Sequence, residues 1–176
     1  AGQRVLDVYS YLGGFGLTAA VGGALDVLCI DRSGPALEIA ARAAEEAGYA
    51  GICRFEKSEA FSALERLSKD GKRFGIVIAD PPAFVKSRKD LKPGARGYRK
   101  LARLSSALVE PHGILCIASC SHHMDAASFA EQVQRGMRDS GRSGRILHNG
   151  GAGPDHPVHP NLPESAYLKC LFLQLD

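Results

Sequence analysis

A chain of 176 residues, 45% hydrophobic and 23% charged, is of a size to bury one substantial core as a single globular domain. No apolar run reaches the roughly 18 residues that a membrane span needs, and no secretory leader pattern opens the chain. The net charge of +3 is too small to argue for nucleic acid by itself, and five cysteines without a CxxC pairing argue against a disulfide framework and for a reducing, cytoplasmic setting.

Short β-branched runs alternate with helical patterns, which predicts βαβ units and a mostly parallel sheet. Arg4–Tyr9 reads as a strand, closed by the glycine turn Tyr11-Leu-Gly-Gly-Phe-Gly16 and a short helix through Val21. Leu25–Ile30 reads as a second strand, followed by the Ala-rich helix Pro35–Ala47, whose proline suits a first turn. Ile52–Phe55 is a third strand, Ala60–Lys69 a helix, and Phe74–Ala79 a fourth strand, apolar throughout as a strand buried on both faces should be. A polar loop is predicted from Pro81 to about Gly97, before a helix over Tyr98–Glu110. Ile114–Ala118 is a fifth strand and Ala126–Ser140 a fifth helix. Arg145–His148 and Tyr167–Leu173 read as two last strands that can pair antiparallel, since the Gly/Pro/His-rich stretch between them holds no helix.

The expected fold is therefore α/β and Rossmann-like: a seven-stranded, mostly parallel sheet with an antiparallel last strand and helices on both faces. Ligands of such sheets bind beyond the carboxyl ends of the central strands. Five chemically loaded segments fall at such ends: Asp7–Gly16, Asp31, Glu59, Asp80–Phe84 and Ser119–Ser121.

Glycines after a first strand let the backbone approach a ligand, and the following helix presents free N–H groups. Gly14-Phe-Gly16-Leu-Thr-Ala19 satisfies GxGxxA, which alone fits a dinucleotide equally well. Asp7 within the first strand tilts the choice toward S-adenosyl-L-methionine, whose ammonium group a carboxylate there can accept. Asp31 ends the second strand, where it can accept both ribose hydroxyls, and Glu59 follows the third, where an acid can meet the adenine amine. Both acids could instead cap the helices that follow them.

The paired prolines of Asp80-Pro-Pro-Ala-Phe84 stiffen a strand exit and fix a carboxylate and an aromatic platform. Ser119-Cys120-Ser121 ends the neighbouring strand. Cytosine C5 is a poor nucleophile, but a thiolate added to C6 turns the ring into an enamine whose C5 can take a methyl group. Cys120 is placed for that role. Cys116 lies four residues back, roughly 13 Å at about 3.3 Å per residue, and reads as core, as do Cys29, Cys53 and Cys170. Lys86, Arg88, Lys89, Lys92, Arg96, Arg99, Lys100 and Arg103 face only Asp90 within their stretch, a candidate phosphate-contacting surface or a solvated face.

With these motifs in hand, the sequence resembles the catalytic domain of the bacterial large-subunit ribosomal RNA cytosine-C5 methyltransferases of the RlmI type. The resemblance covers nearly the whole chain, through Asp7–Phe15, Asp80–Phe84 with Lys86, Ser119–His122, Asp155–Val158 and Tyr167–Lys169. It implies that Cys120 is the nucleophile, that Asp80 orients the cytosine edge, and that Asp31 and Glu59 serve the cofactor. Members of that family carry an N-terminal RNA-binding PUA domain and a segment before the first strand, so residues 1–176 are expected to be the catalytic domain alone.

The expected cofactor contacts are Asp7, Tyr9, Tyr11, Gly13, Gly14, Phe15, Asp31, Arg32, Ser33, Glu59, Ala60 and Asp80, holding S-adenosyl-L-methionine and its product S-adenosyl-L-homocysteine. Expected substrate contacts are Pro81, Pro82, Phe84, Lys86, Arg88, Ser119 and Ser121, with 23S ribosomal RNA as partner, no membrane, and a homodimer left open. His122 and His123 could assist proton transfer or open a helix. His156 and His159 with Asp155 are too few for a metal, and a loop-ordering role is expected. Two other activities fit parts of the pattern: amino-group methylation of adenine or guanine, and dinucleotide-dependent oxidation. The first needs no cysteine at 120 and the second leaves Asp80-Pro-Pro unexplained. A non-catalytic RNA-binding relic would leave the cofactor set unexplained.

Overall fold

The computed structural model describes residues 1–154 and 156–176. Seven strands form one sheet: β1 (Arg4–Val8), β2 (Asp26–Asp31), β3 (Cys53–Lys57), β4 (Phe74–Ala79), β5 (Val109–Ser119), β6 (Gly144–Gly150) and β7 (Lys169–Leu175). Among the described residues five α-helices, α1 (Gly14–Val21), α2 (Gly34–Glu46), α3 (Ala60–Lys69), α4 (Leu91–Leu108) and α5 (Ala126–Asp139), accompany the sheet. The strand order is β3-β2-β1-β4-β5-β7-β6. All pairings are parallel except those of β7, which inserts antiparallel between β5 and β6. The expected α/β architecture with an antiparallel last strand is the one observed.

Strand patterning sets the two layers. Leu6, Val8, Leu28, Ile30, Val77 and Leu115 pack on α3, α4 and α5 in the main core. Val5, Val27, Cys29 and Cys53 pack with Ala20 and Ala44 of α1 and α2 in a smaller core on the other face. Strand order reverses between β1 and β4, so the loops at their carboxyl ends diverge and leave a cleft between them.

The expected loop to Gly97 is much shorter, because α4 begins at Leu91. Pro93 falls in its first turn, where an N–H has no intrahelical acceptor to lose. The glycines there read as breakers but serve packing. A Cβ on Gly94 would lie 2.7 Å from the Phe84 carbonyl oxygen, and one on Gly97 would lie 3.0 Å from the Phe84 ring. The helix can therefore lie directly on the Phe84–Val85 segment. Strand β5 starts five residues earlier than predicted, through Pro111 and Gly113, with a register shift against β4 and His112 at φ 61°. The last strand is displaced two residues along the chain, to Lys169–Leu175.

Candidate active site

The turn after β1 is built from residues that the backbone forces into unusual conformations. Tyr9 and Tyr11 have φ of 64° and 49°, uncommon for side chains with a Cβ, and Gly13 has φ of 74°. A Cβ on Gly13 would stand 3.1 Å from the Ala40 Cβ, and one on Gly16 would collide with the Cys29 sulfur. The start of α1 is thus a close-packed cradle that only glycine permits.

Asp7 differs from its expected place. It is fully buried beneath the turn and does not line the cleft. Its Oδ2 accepts the Gly16 N–H at 2.9 Å, and its Oδ1 has no partner. Burial outweighs that hydrogen bond, and with Asp80 and Asp31 nearby it pushes the carboxyl from 3.8 up to about 7. Its direct work is to hold the turn.

A cleft of about 1050 Å³ opens where the strand order reverses, beyond the carboxyl ends of the strands. Tyr9, Tyr11, Phe15, Asp31, Arg32, Ser33, Glu59 and Ala60 line one side. Asp31 is fixed by two backbone donors, Tyr11 N–H on Oδ2 at 3.0 Å and Ser33 N–H on Oδ1 at 2.8 Å. Each oxygen keeps a second lone pair for a ligand hydroxyl. Asp31 does not cap α2; Ser33 does. Glu59 does cap α3, its Oε2 accepting from the Ser62 N–H at 2.9 Å and from the Ser62 hydroxyl at 3.1 Å. Burial is the largest single influence and pushes Glu59 up, but the N–H groups of Ser62 and Phe61, the Ser62 hydroxyl and the Lys100 charge together outweigh it and hold the carboxyl below its usual range. Capping and cleft lining coexist at this residue.

Asp80, Pro81, Pro82, Phe84 and Cys120 line the other side. Burial holds the Asp80 carboxyl above the usual range. The Cys120 thiol donates weakly to the Pro81 carbonyl at 3.8 Å. Burial first, and the Asp80 charge second, push that thiol above its ordinary value, while Lys169 opposes them. The chain thus brings a carboxyl and a thiol from adjacent strand ends to one wall, opposite the acids after β2 and β3.

Ser119 and Ser121 depart from their expected role. Both are fully buried and neither lines the cleft. Tyr98 of α4, also fully buried, explains them. Its hydroxyl accepts from the Ser119 hydroxyl at 2.9 Å and lies 2.8 Å from that of Ser121, whose Oγ in turn accepts the Val85 N–H at 3.1 Å. These serines tie the loop after β4 to the loop after β5. Lys86 and Arg88 are exposed and also lie outside the cleft wall. The basic stretch is divided: Arg99 pairs with Asp139 at 2.6 Å and Lys100 with Glu65 at 3.0 Å, while Lys86, Arg88, Lys89, Lys92 and Arg96 have no ion pair among the described residues.

Sequence reasoning passed over Phe61 and Tyr98, and noted Tyr167 and Lys169 within the resemblance without giving them a role. Phe61 and Tyr167 line the cleft, Phe61 packs 6.1 Å from Phe84, and Tyr167 stacks on His122 at 4.8 Å. A lone aromatic on a helix reads as core, so no local signal marked Tyr98. Cys29 and Cys53 are buried, as expected. Cys116 and Cys170 instead are only partly buried and stand 3.4 Å apart, lining a second hollow of about 400 Å³ behind Asp80. His156 lines the cleft, and Asp155 lies outside the described residues. Among the described residues no cluster of three potential ligands could hold a metal, and no helix is long and apolar enough to cross a membrane.

The sequence pattern of the S-adenosylmethionine-dependent methyltransferase family matches residues 1–173. The chain is 36% identical over 174 residues to a protein of Aeromonas hydrophila named ribosomal RNA large subunit methyltransferase I, covering 98% of the chain and 44% of that protein. It is 38% identical over 176 residues to a ribosomal RNA large subunit methyltransferase of Deinococcus radiodurans, covering 99% of the chain and 43% of the relative. The chain thus spans less than half the length of these curated relatives. Among solved structures, SMU.776, crystallised in complex with SAH, superposes with a TM-score of 0.85 at 21% identity, over 99% of this chain and 45% of that one. The ribosomal protein L11 methylase of Lactobacillus delbrueckii superposes with a TM-score of 0.63 at 15% identity, over 99% of this chain and 70% of that one. The fold alone therefore does not choose between RNA and protein as substrate.

Proposed function

The chain belongs to the S-adenosylmethionine-dependent methyltransferase family, and we propose that it methylates C5 of a cytosine in large-subunit ribosomal RNA through Cys120. The observation that carries this reading is the shared wall of Asp80 and Cys120, across the end of β1 from the acids that suit a nucleoside. The relatives named above support ribosomal RNA as the substrate class.

The cleft fits the cofactor on its own terms. Both Asp31 oxygens are fixed by backbone donors with capacity to accept further hydroxyl donors. Asp31 is assigned to the ribose, Glu59 to the adenine edge, and Phe15, Tyr9 and Tyr11 to the apolar walls. S-adenosyl-L-methionine, when bound, supplies a methyl group on a positively charged sulfur.

The remaining chemistry belongs to the chain. Cys120 gives its thiol proton to solvent and, as the thiolate, adds to C6 of the cytosine, and the displaced π pair makes C5 nucleophilic. Once C5 carries the methyl group, loss of its proton restores the double bond and expels the Cys120 thiolate. Asp80 faces the pyrimidine edge. Its carboxylate can accept from the exocyclic amine of the base and so orient the ring. Phe84 is held by Tyr98 at 4.7 Å and offers a face for the base.

RNA carrying 5-fluorocytidine tests the reading directly, since fluorine at C5 cannot leave as a proton does. In the presence of S-adenosyl-L-methionine the protein is expected to form a covalent adduct that Cys120→Ala abolishes. Methyl transfer that survives Cys120→Ala would overturn the C5 mechanism and favour an exocyclic amine held by Asp80.

A further inference from the structure

Lys169 stands opposite Ser119 in the β5–β7 register, at the end of the strand that Cys120 follows. Its Nζ donates to the Ser121 carbonyl at 2.7 Å and to the Met124 carbonyl at 2.7 Å. Both acceptors belong to the turn that begins at Cys120 and ends where α5 starts. The ammonium is therefore fixed rather than solvated, and it bridges two points of the turn that no β-ladder holds.

A neutral donor could satisfy two carbonyls at lower cost, since burial disfavours the charged amine. What a cation adds is charge. From the end of β4, Asp80 faces the Cys120 sulfur, and burial acts in the same direction, both keeping the thiol protonated. The backbone N–H groups of Cys120 and Ala83 oppose them, and Lys169 on β7 is the one cation among the described residues that does so. Facing Lys169 itself are Cys120 and, from the start of α5, Asp125. Loss of the lysine charge would leave the sulfur facing a carboxylate with no cation against it.

We propose that Lys169 is a positioning residue for Cys120, strapping the turn that carries the thiol and holding a positive charge beside its sulfur. The strap is independent of any RNA, although its use in catalysis rests on Cys120 being the nucleophile.

The test is the pH dependence of Cys120 alkylation by iodoacetamide, read at the Cys120 peptide by mass spectrometry in the full chain. Lys169→Met is expected to move the midpoint upward by about half a pH unit or more. Lys169→Gln retains an N–H donor for the turn while removing the charge, so it reports the electrostatic part even if the Met variant fails to fold, and it should move the midpoint likewise. Lys169→Arg is expected to restore the wild-type midpoint. An unchanged midpoint in the Met or Gln variant would overturn the proposal. A midpoint that moves in a protein forming no adduct with 5-fluorocytidine RNA would leave the strap standing and remove the nucleophile reading.

Discussion

The Tyr98 hydroxyl lies 2.8 Å from the Ser121 hydroxyl, and this fully buried pair joins the loops that carry Asp80 and Cys120. Tyr98→Phe keeps the ring against Phe84 and Phe129 but removes the acceptor of Ser119 and the partner of Ser121. Leaving buried hydroxyls short of a partner costs about 1–3 kcal/mol. Urea unfolding should show that loss, and the rate of adduct formation with 5-fluorocytidine RNA should fall with it. Affinity for S-adenosyl-L-homocysteine, measured by calorimetry, should change little, because the Asp31 wall is held by separate bonds. An unchanged adduct rate would mean that the two loops keep their relation without the hydroxyl.

Glycine substitutions in the first turn should differ sharply although they lie within four residues. A Cβ on Gly14 meets nothing within 4 Å, whereas on Gly16 it runs into the Cys29 sulfur in the small core. Gly14→Ala should therefore be near neutral for stability. Gly16→Ala should cost about 1–3 kcal/mol through overpacking and displace the Asp7 hydrogen bond. Thermal unfolding of the two variants checks the contrast.

The fold was legible because the strand runs are apolar and β-branched and the helices between them are long, so that the periodicity rarely conflicted. It misled at Pro93, Gly94 and Gly97, where residues that usually break a helix here open one and let it approach Phe84. At the site, polar and charged groups at strand ends pointed to Asp31, Glu59, Asp80 and Cys120, and these four line one cleft. Ser119 and Ser121 were visible but misassigned, because their partner Tyr98 comes from a helix more than 20 positions earlier and that pairing exists only in three dimensions. Asp7 was recognised as significant, and only the depth of its burial showed that it supports the turn from below.

That burial has a pH signature. The Asp7 carboxyl rises from 3.8 to about 7 on folding, so between those values the folded state holds a proton that the unfolded chain has released. Stability from this group is therefore greatest at acid pH and is lost as the pH climbs toward 7, by about 4 kcal/mol at most. Asp7→Asn removes the titration. The difference in unfolding free energy between the variant and the wild type, measured from pH 5 to pH 8, should shift steadily in favour of Asn as the pH rises. A flat difference would mean that Asp7 stays ionised in the fold.

The basic stretch should separate into two functional groups. Arg99 and Lys100 already face Asp139 and Glu65, so replacing either mainly disturbs packing between helices. Lys86, Arg88 and Lys92 are exposed and carry no ion pair among the described residues, which leaves their charge available to phosphates. Each phosphate contact to a single strand contributes about 0.7 to the slope of log affinity against log salt. The triple substitution of Lys86, Arg88 and Lys92 by Gln should weaken binding of a labelled ribosomal RNA fragment and flatten that slope by up to about 2, read by fluorescence anisotropy. Arg99→Gln should leave the slope unchanged while lowering the unfolding midpoint. Equal slopes for the triple variant and the wild type would place the RNA path away from the start of α4, and the search for it would move to the exposed turn at His122 and His123.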